Sequence, residues 1–339
     1  MKFSTLQSIA DVHTIIDQWN TLLEKSAICV PFLQYDYINS WWQTLGGGEW
    51  KQGELFVVTA HEDDKIIGIA PMFRTLDQAG EPVLMLLGSI EISDYLDIIV
   101  DPAHLSDFLS ELLEYLNTFP MSEWVRLDWY NLLDNTPTLP ALKLATERMG
   151  WEFNQEQCSP APFISLPADW DSYLNILDKK QRHEIRRKIR RAEENIPASH
   201  WYFVEDEANL KNEMDDFLNL MAQDANKAIF LNETMRAQMH DIARVAFLGG
   251  WLQLAFLEFG GKKAAGYLSF DYANHIWVYN SGLNADFSQL SPGWVLLGYI
   301  IQWAIEHKRN CFDFMRGDEI YKYRFGAVDR FVVCASVRR

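Results

Sequence analysis

Residues 316–326, RGDEIYKYRFG, crowd two phenols and three cations into one short run. Tyr321 and Tyr323 bracket Lys322, and Arg316 and Arg324 flank them. A phenol can protonate a departing anion such as a thiolate, and Lys or Arg can hold a phosphate or a developing oxyanion. The same side chains can also pack as amphipathic rings and stems at a surface. Just upstream, Asp313 sits in the apolar run FDFM, where burial would raise a carboxylate toward the range of a useful base. An aspartate there can equally serve as a structural acceptor for backbone N–H groups, and Asp128, at the matching place in the first half of the chain, favours that reading. Asp94 and Asp97, in SDYLDIIVDP, are candidates for contact with a second substrate.

A second cluster is electrostatic. Residues 179–191, KKQRHEIRRKIRR, carry eight Lys or Arg against the single acid Glu184, in a chain whose net charge is -17. On a helix, Arg182, Arg186 and Arg190 recur at i, i+4 and i+8 and form a stripe beside an apolar face of Leu174, Leu177, Ile185, Ile189 and Ala192. Guanidinium groups bind phosphate through bidentate, charge-assisted hydrogen bonds, and a basic patch on an acidic protein would focus an anionic ligand. Each arginine can also be a solvated residue paired with a nearby acid. The overall acidity opposes duplex nucleic-acid binding, so no DNA partner is expected.

The elements that must carry these groups repeat. LFVVTAHEDDKIIGIAPMF (55–73) and LQLAFLEFGGKKAAGYLSF (252–270) both read as strand, polar turn, strand with an early glycine, the grammar of a hairpin. Each is followed by a strand (95–100 or 275–283), a helix of 3.6 periodicity (103–119 or 291–307) and a strand (124–130 or 312–317). A long period used twice suggests a duplicated α/β domain with mixed sheets. The proline-rich connector 156–170 marks the division, giving domains 1–155 and 156–339. Residues 171–194 read as one long helix; further helices are expected near 8–25, 35–45, 207–225 and 232–247.

Composition narrows the class. The 339 residues are 48% hydrophobic, 14% aromatic and 23% charged, ample for two cores and contrary to disorder. The four cysteines, Cys29, Cys158, Cys311 and Cys334, are scattered, which predicts buried reduced thiols and a cytoplasmic setting. The longest apolar run, 295–305, is interrupted by Gln302 and falls short of the ~18 residues of a membrane span, leaving only peripheral association. Eight histidines without HExxH spacing predict no metal site. No GxSxG, GxxxxGK[ST] or GxGxxG occurs.

PFLQYDYINSWWQTLG (31–46), LDKKQRHEIRRKIRRAEE (177–194) and above all FDFMRGDEIYKYRFGA (312–327) resemble the double GNAT-like fold of FemAB-type transferases and their CelD-related acyltransferase kin, over about residues 30–330. The resemblance implies two tandem GNAT-like domains with a cleft between them. It implies transfer of an acyl group, from acyl-CoA as donor, to an amine of a small-molecule or cell-envelope acceptor, without a metal. Strands 275–283 and 310–315 would splay around the pantetheine arm, with Ser281 on the first. The diphosphate would meet the helix starting at SPGW, with Ser291 as N-cap, Pro292 first in the helix and Gly293 allowing close approach. Arg316 and Arg324 would assist it. Asp313, Tyr321 and Lys322 would carry the chemistry; Asp94, Asp97, Arg182, Arg186, Arg190 and Tyr323 would bind substrate. The glycine-rich phosphate loop of GNAT domains is replaced by SQLSPG. Two alternatives remain: an aminoacyl-tRNA-dependent transferase on a peptidoglycan precursor, and a non-catalytic module binding a glycan or lipid-linked precursor.

Overall fold

In the computed structural model, which describes residues 1–195 and 199–339, the chain divides after Pro160 and its end returns to the first part. Unit 1 comprises Met1–Pro160 with Arg330–Arg339, and unit 2 comprises Ala161–Asp329. The expected division at 155/156 thus moves by a few residues, and the last strand is reassigned. Its backbone finds two open strand edges in the sheet of unit 1, a pairing that a run such as FVVCASVR does not encode locally.

Unit 1 begins with β1 (Lys2–Leu6), α1 (Ile9–His13), α2 (Ile16–Leu23) and α3 (Tyr35–Thr44). The hairpin of β2 (Glu54–Glu62) and β3 (Lys65–Leu76) follows, then β4 (Pro82–Leu86), the short β5 (Ile99–Val100) and α4 (Leu105–Asn117). β6 (Arg126–Leu133), α5 (Thr138–Met149) and β7 (Glu152–Pro160) lead to the boundary. Unit 2 holds β8 (Phe163–Ser165), α6 (Trp170–Ile176), α7 (Lys179–Glu193) and β9 (Ser199–Phe203). Helices α8 (Glu207–Met221), α9 (Ala225–Phe230) and α10 (Glu233–Leu248) precede the hairpin of β10 (Leu252–Phe259) and β11 (Lys262–Tyr272). β12 (His275–Leu283), α11 (Pro292–Glu306), β13 (Cys311–Asp313) and α12 (Ile320–Arg324) complete it, and β14 (Phe331–Arg338) belongs to unit 1.

The sheets repeat one order, β1-β2-β3-β4-β6 in unit 1 and β9-β10-β11-β12-β13 in unit 2. β14 and β7 extend the first sheet, and β8 caps the second. Both hairpins shift register near the turn, between Ala60 and His61 and between Leu257 and Glu258. In each sheet one parallel pair flanks the crossover helix, β4 beside β6 with Met85 opposite Asp128, and β12 beside β13 with Trp277 opposite Asp313. The unit 1 counterpart of β12 is therefore β4, not the 95–100 segment expected from sequence, most of which is loop. Only Ile99 and Val100 pair, against β3.

Helix α4 buries Leu105, Phe108, Leu109, Leu112, Leu113 and Leu116 on one face. Each such side chain contributes roughly 1.5–3 kcal/mol of transfer free energy. α11 is buried on more sides, because α7 packs on it opposite the β10–β12 surface. The single helix expected over 171–194 is two: Leu177 is extended (ψ 150°), and Asp178 caps α7 by accepting the Gln181 N–H at 2.9 Å. None of the four cysteines is in a disulfide, but only Cys311 is buried and Cys158 is exposed, against the expectation of buried thiols. No helix among the described residues is long and apolar enough to cross a membrane.

Candidate active site in unit 2

β12 and β13 pair only from His275 to Trp277; β13 stops at Asp313 while β12 runs on to Leu283. Its other edge stays on β11, with an irregularity at Tyr279 that places Leu268 opposite Asn280 and Ser269 opposite Val278. The pairing of the two parallel strands thus ends just before a bulge, a device that bends a strand and re-aims its side chains. A cavity of about 580 Å³ opens there, lined by Tyr267, Ser281, Gly293, Trp294, Tyr321 and Phe325 among others. That is the size of a cofactor or small-ligand site.

The first turn of α11 forms one wall. Ser291 occupies the N-cap position as expected, but with a left-handed backbone (φ 54°) and no side-chain cap hydrogen bond. Pro292 starts the helix. The uncapped first turn leaves backbone N–H donors and the positive end of the helix dipole beside the cavity. At Gly293 a Cβ would lie 2.6 Å from Cδ2 of Leu283, an exposed side chain that could turn aside, so the glycine keeps this wall open without being demanded by the backbone. The preceding segment, Ala285–Leu290, is a 3-10 helix rather than an open phosphate loop.

One cation, Lys188, lines the cavity by this turn, and a second, Arg324, lies outside the lining but near enough for its charge to act on Lys188. Lys188 of α7 lies 4.2 Å from the Trp294 ring centroid and 3.5 Å from Glu184, and burial holds its pKa below the usual lysine range. Arg324 is exposed and, among the described residues, makes no ion pair or hydrogen bond; its charge also lowers Lys188. The expected arginine stripe is elsewhere. Arg182 donates to Asn175 Oδ1 at 2.6 Å, Arg186 pairs with Asp171 at 3.4 Å and Arg190 with Glu194 at 3.9 Å, and none lines the cavity. The helix buries Ile185 and Ala192, which turns Lys188 toward the cavity and leaves the arginines on the opposite edge.

The 313–324 cluster separates into scaffold and site. Asp313 is fully buried, and its Oδ1 accepts the Met315 N–H at 2.7 Å, fixing a turn in which Met315 has φ 55°. It does not line the cavity, so the structural-acceptor reading applies, as it does for Asp128, which accepts from Arg126 and Ser336. Lys322 is 2% exposed and donates to the carbonyls of Arg316 (2.8 Å) and Gly317 (3.0 Å) while pairing with Glu319 at 2.8 Å. Its donors are thus engaged by the loop, and it does not line the cavity. Tyr323 donates to Asp329 Oδ1 at 2.8 Å and, like the half-buried Arg316, lies outside the cavity lining. Tyr321 alone of this group faces the cavity. Its ring meets Phe314 edge-on at 6.0 Å, its hydroxyl has no hydrogen bond among the described residues, and burial pushes its pKa up.

In unit 1, Asp97 is 1% exposed inside a cage of the Thr136 hydroxyl (2.6 Å), the Thr138 hydroxyl (2.7 Å) and the Ile98 N–H (2.8 Å). Burial outweighs these bonds and raises its pKa to about 6. Both oxygens of this carboxylate are thus engaged inside unit 1 rather than offered to solvent. Asp94, nearby in sequence, is half-buried.

Sequence reasoning missed Lys188, which lay within the basic run but outside the arginine stripe, and also Lys227 and Tyr267. Lys227 of α9 donates to Asn280 Oδ1 at 2.8 Å and to the Ser281 carbonyl at 2.7 Å, and burial lowers its pKa. Tyr267 is 4% exposed, and its phenol makes no hydrogen bond among the described residues. A lone lysine in a short helix and a tyrosine in an apolar strand carry no local signal. No cluster of His, Cys, Asp and Glu suited to a metal occurs among the described residues.

Two sheets of one strand order, the second splayed over a cofactor-sized cavity at a helix N-terminus, define a tandem GNAT-like fold. Residues 179–323 match the family model of an acetyltransferase (GNAT) domain. Among solved structures, FemX is similar over 99% of this chain and 97% of its own at 10% identity and a TM-score of 0.69. A conserved protein of unknown function from Bacteroides thetaiotaomicron matches over the full length of both chains at 12% identity and 0.60. The C-terminal domain of an Agrobacterium fabrum protein named as a lysylphosphatidylglycerol synthetase matches over 96% of this chain and 92% of its own at 11% identity and 0.58. At these identities the likeness is one of fold. No curated protein matches the chain.

Proposed function

We propose that the chain is an N-acyltransferase whose unit 2 binds an acyl-CoA donor in the cavity beside β12 and passes the acyl group to an amine. The supporting observation is the parting of β12 from β13 next to the uncapped first turn of α11. A pantetheine arm would lie along the opening, and the diphosphate would meet the N–H groups of that turn with Lys188 and Arg324. Ser281, Ser291 and Gly293 keep their expected donor-binding roles in this reading.

The neutral amine, its ammonium proton given up to solvent, attacks the thioester carbonyl; the C–S bond breaks, the thiolate takes the Tyr321 hydroxyl proton, and the proton that the nitrogen sheds on becoming an amide returns through solvent to the phenolate. A phenol with a raised pKa stays protonated until that moment, and such acid catalysis contributes about 10²–10⁴-fold. The test is thiol release from acyl-CoA with a panel of amines. Tyr321→Phe should lower turnover by about 10²-fold while the melting temperature holds, since the hydroxyl has no partner to lose. Unchanged turnover in Tyr321→Phe would remove the residue from the mechanism.

One feature favours a second reading. The 3-10 helix Ala285–Leu290 stands where an open glycine-rich loop would otherwise offer N–H groups to a diphosphate. An aminoacyl ester of tRNA, acting on a peptidoglycan precursor, would use the same splay without that loop. Release of free tRNA with no thiol chemistry would select it.

A further inference from the structure

Ser281, on the free edge of β12, has neither backbone group available. Its N–H donates to Asn280 Oδ1 at 2.9 Å, and its carbonyl accepts Lys227 Nζ at 2.7 Å. The same ammonium holds Asn280 Oδ1 at 2.8 Å, so one lysine ties together both edge groups. An edge N–H at this point of a splayed strand would be the natural donor for the oxygen of an acyl group lying in the opening, and here it is consumed. What the clamp leaves is the third N–H of Lys227, on a cavity wall that also carries the unbonded phenols of Tyr267 and Tyr321. Tyr267 lies opposite Ser281 on β11, so the β12 position that Lys227 of α9 clamps adjoins the position that carries this phenol.

The geometry points to Lys227 as a catalytic residue that stabilises the oxyanion of the tetrahedral intermediate, replacing the strand's own backbone donor. The inference rests on the acyl-donor reading. When the amine attacks, the carbonyl π electrons move to oxygen and Lys227 donates a hydrogen bond to the oxyanion; its collapse expels the leaving group, which takes the proton of Tyr321, and the proton shed by the nitrogen restores the phenol through solvent. A preorganised cation in a desolvated wall acts mainly on charge that develops in the transition state, so it raises kcat rather than donor affinity. The groups acting on Lys227 are Asp224 at the start of its own helix and Glu319 and Lys322 from the 319–324 segment. The acids favour its charge, and Lys322 and burial oppose it. It therefore loses its proton below the usual lysine range, and the rate should fall as pH rises through that point, whereas the phenol of Tyr321 titrates higher.

The experiment combines calorimetric CoA binding with kcat and KM from thiol release, across pH, for the wild type, Lys227→Met and Lys227→Arg. The expected result is a loss of about 10²–10³-fold in kcat for Lys227→Met, with the CoA affinity within about threefold of wild type. Lys227→Arg should keep part of the rate and lose the fall at high pH, because arginine does not deprotonate in that range. A Lys227→Met enzyme with kcat within about threefold of wild type, or with a loss confined to donor affinity, overturns the inference alone; so does a high-pH fall that persists in Lys227→Arg. Wild type that neither binds CoA nor releases thiol overturns the donor reading and the inference with it.

Discussion

Lys322 and Glu319 form an ion pair of 2.8 Å, and the same ammonium donates to the carbonyls of Arg316 and Gly317, so one buried lysine closes the loop that leads into α12. Tyr321 sits beside that lysine in sequence, and the loop presents its phenol to the cavity.

Replacing Lys322 by Met should therefore act on stability first. It strands two carbonyls in a nearly buried position, each costing about 1–3 kcal/mol, and the unfolding free energy should drop by about 2–4 kcal/mol. Urea denaturation followed by tryptophan fluorescence measures it. A midpoint equal to wild type would mean that the loop is held without the lysine.

The cations near α11 should separate from the arginine stripe by their kinetics. Lys188→Ala and Arg324→Ala should each raise the donor KM by about 5–20-fold with little change in kcat, as expected for groups that hold phosphate equally in ground and transition states. The triple replacement of Arg182, Arg186 and Arg190 by Ala should leave KM within about twofold, because exposed pairs contribute little. A triple variant as impaired as Lys188→Ala would return the stripe to the site.

Asp97 gives unit 1 a pH signature. Its pKa is raised to about 6 in the folded state, so the native protein binds its proton more tightly than the unfolded chain. Stability from this group is full at acid pH and declines as pH rises between about 4 and 6, reaching a penalty of roughly 3 kcal/mol at neutrality. Asp97→Asn should remove that slope when unfolding free energies of the two proteins are compared from pH 3.5 to 7. Parallel curves would mean that Asp97 ionises without cost.

Much of the frame was legible because its signals are local. HEDD and GG set the hairpin turns, the 3.6 periodicity of 105–117 and 292–306 set the crossover helices, and SPG marked the start of the second. Asp178, a capping residue ahead of a basic run, could have divided the helix expected over 171–194, but the apolar face carries on across the break at Leu177. The return of β14 to unit 1 rests on partners far apart in sequence, with Ser336 opposite both Asp128 and Asn154. At the site, residue type suggested reactive groups in 313–324, while burial decided their use: Lys322 and Asp313 serve the loop, and only Tyr321 faces open space. Lys227 was invisible because its partners, Asn280 and Ser281, lie on a strand more than fifty residues away.

The most direct test of the central claim is calorimetric titration of CoA into the wild type and into Ser281→Phe, which would fill the opening beside β12. A saturable single-site heat is expected for the wild type, in the range of micromolar affinity (about 8 kcal/mol), and its loss in a folded Ser281→Phe. Absence of heat in the wild type, or equal binding by both proteins, would contradict it.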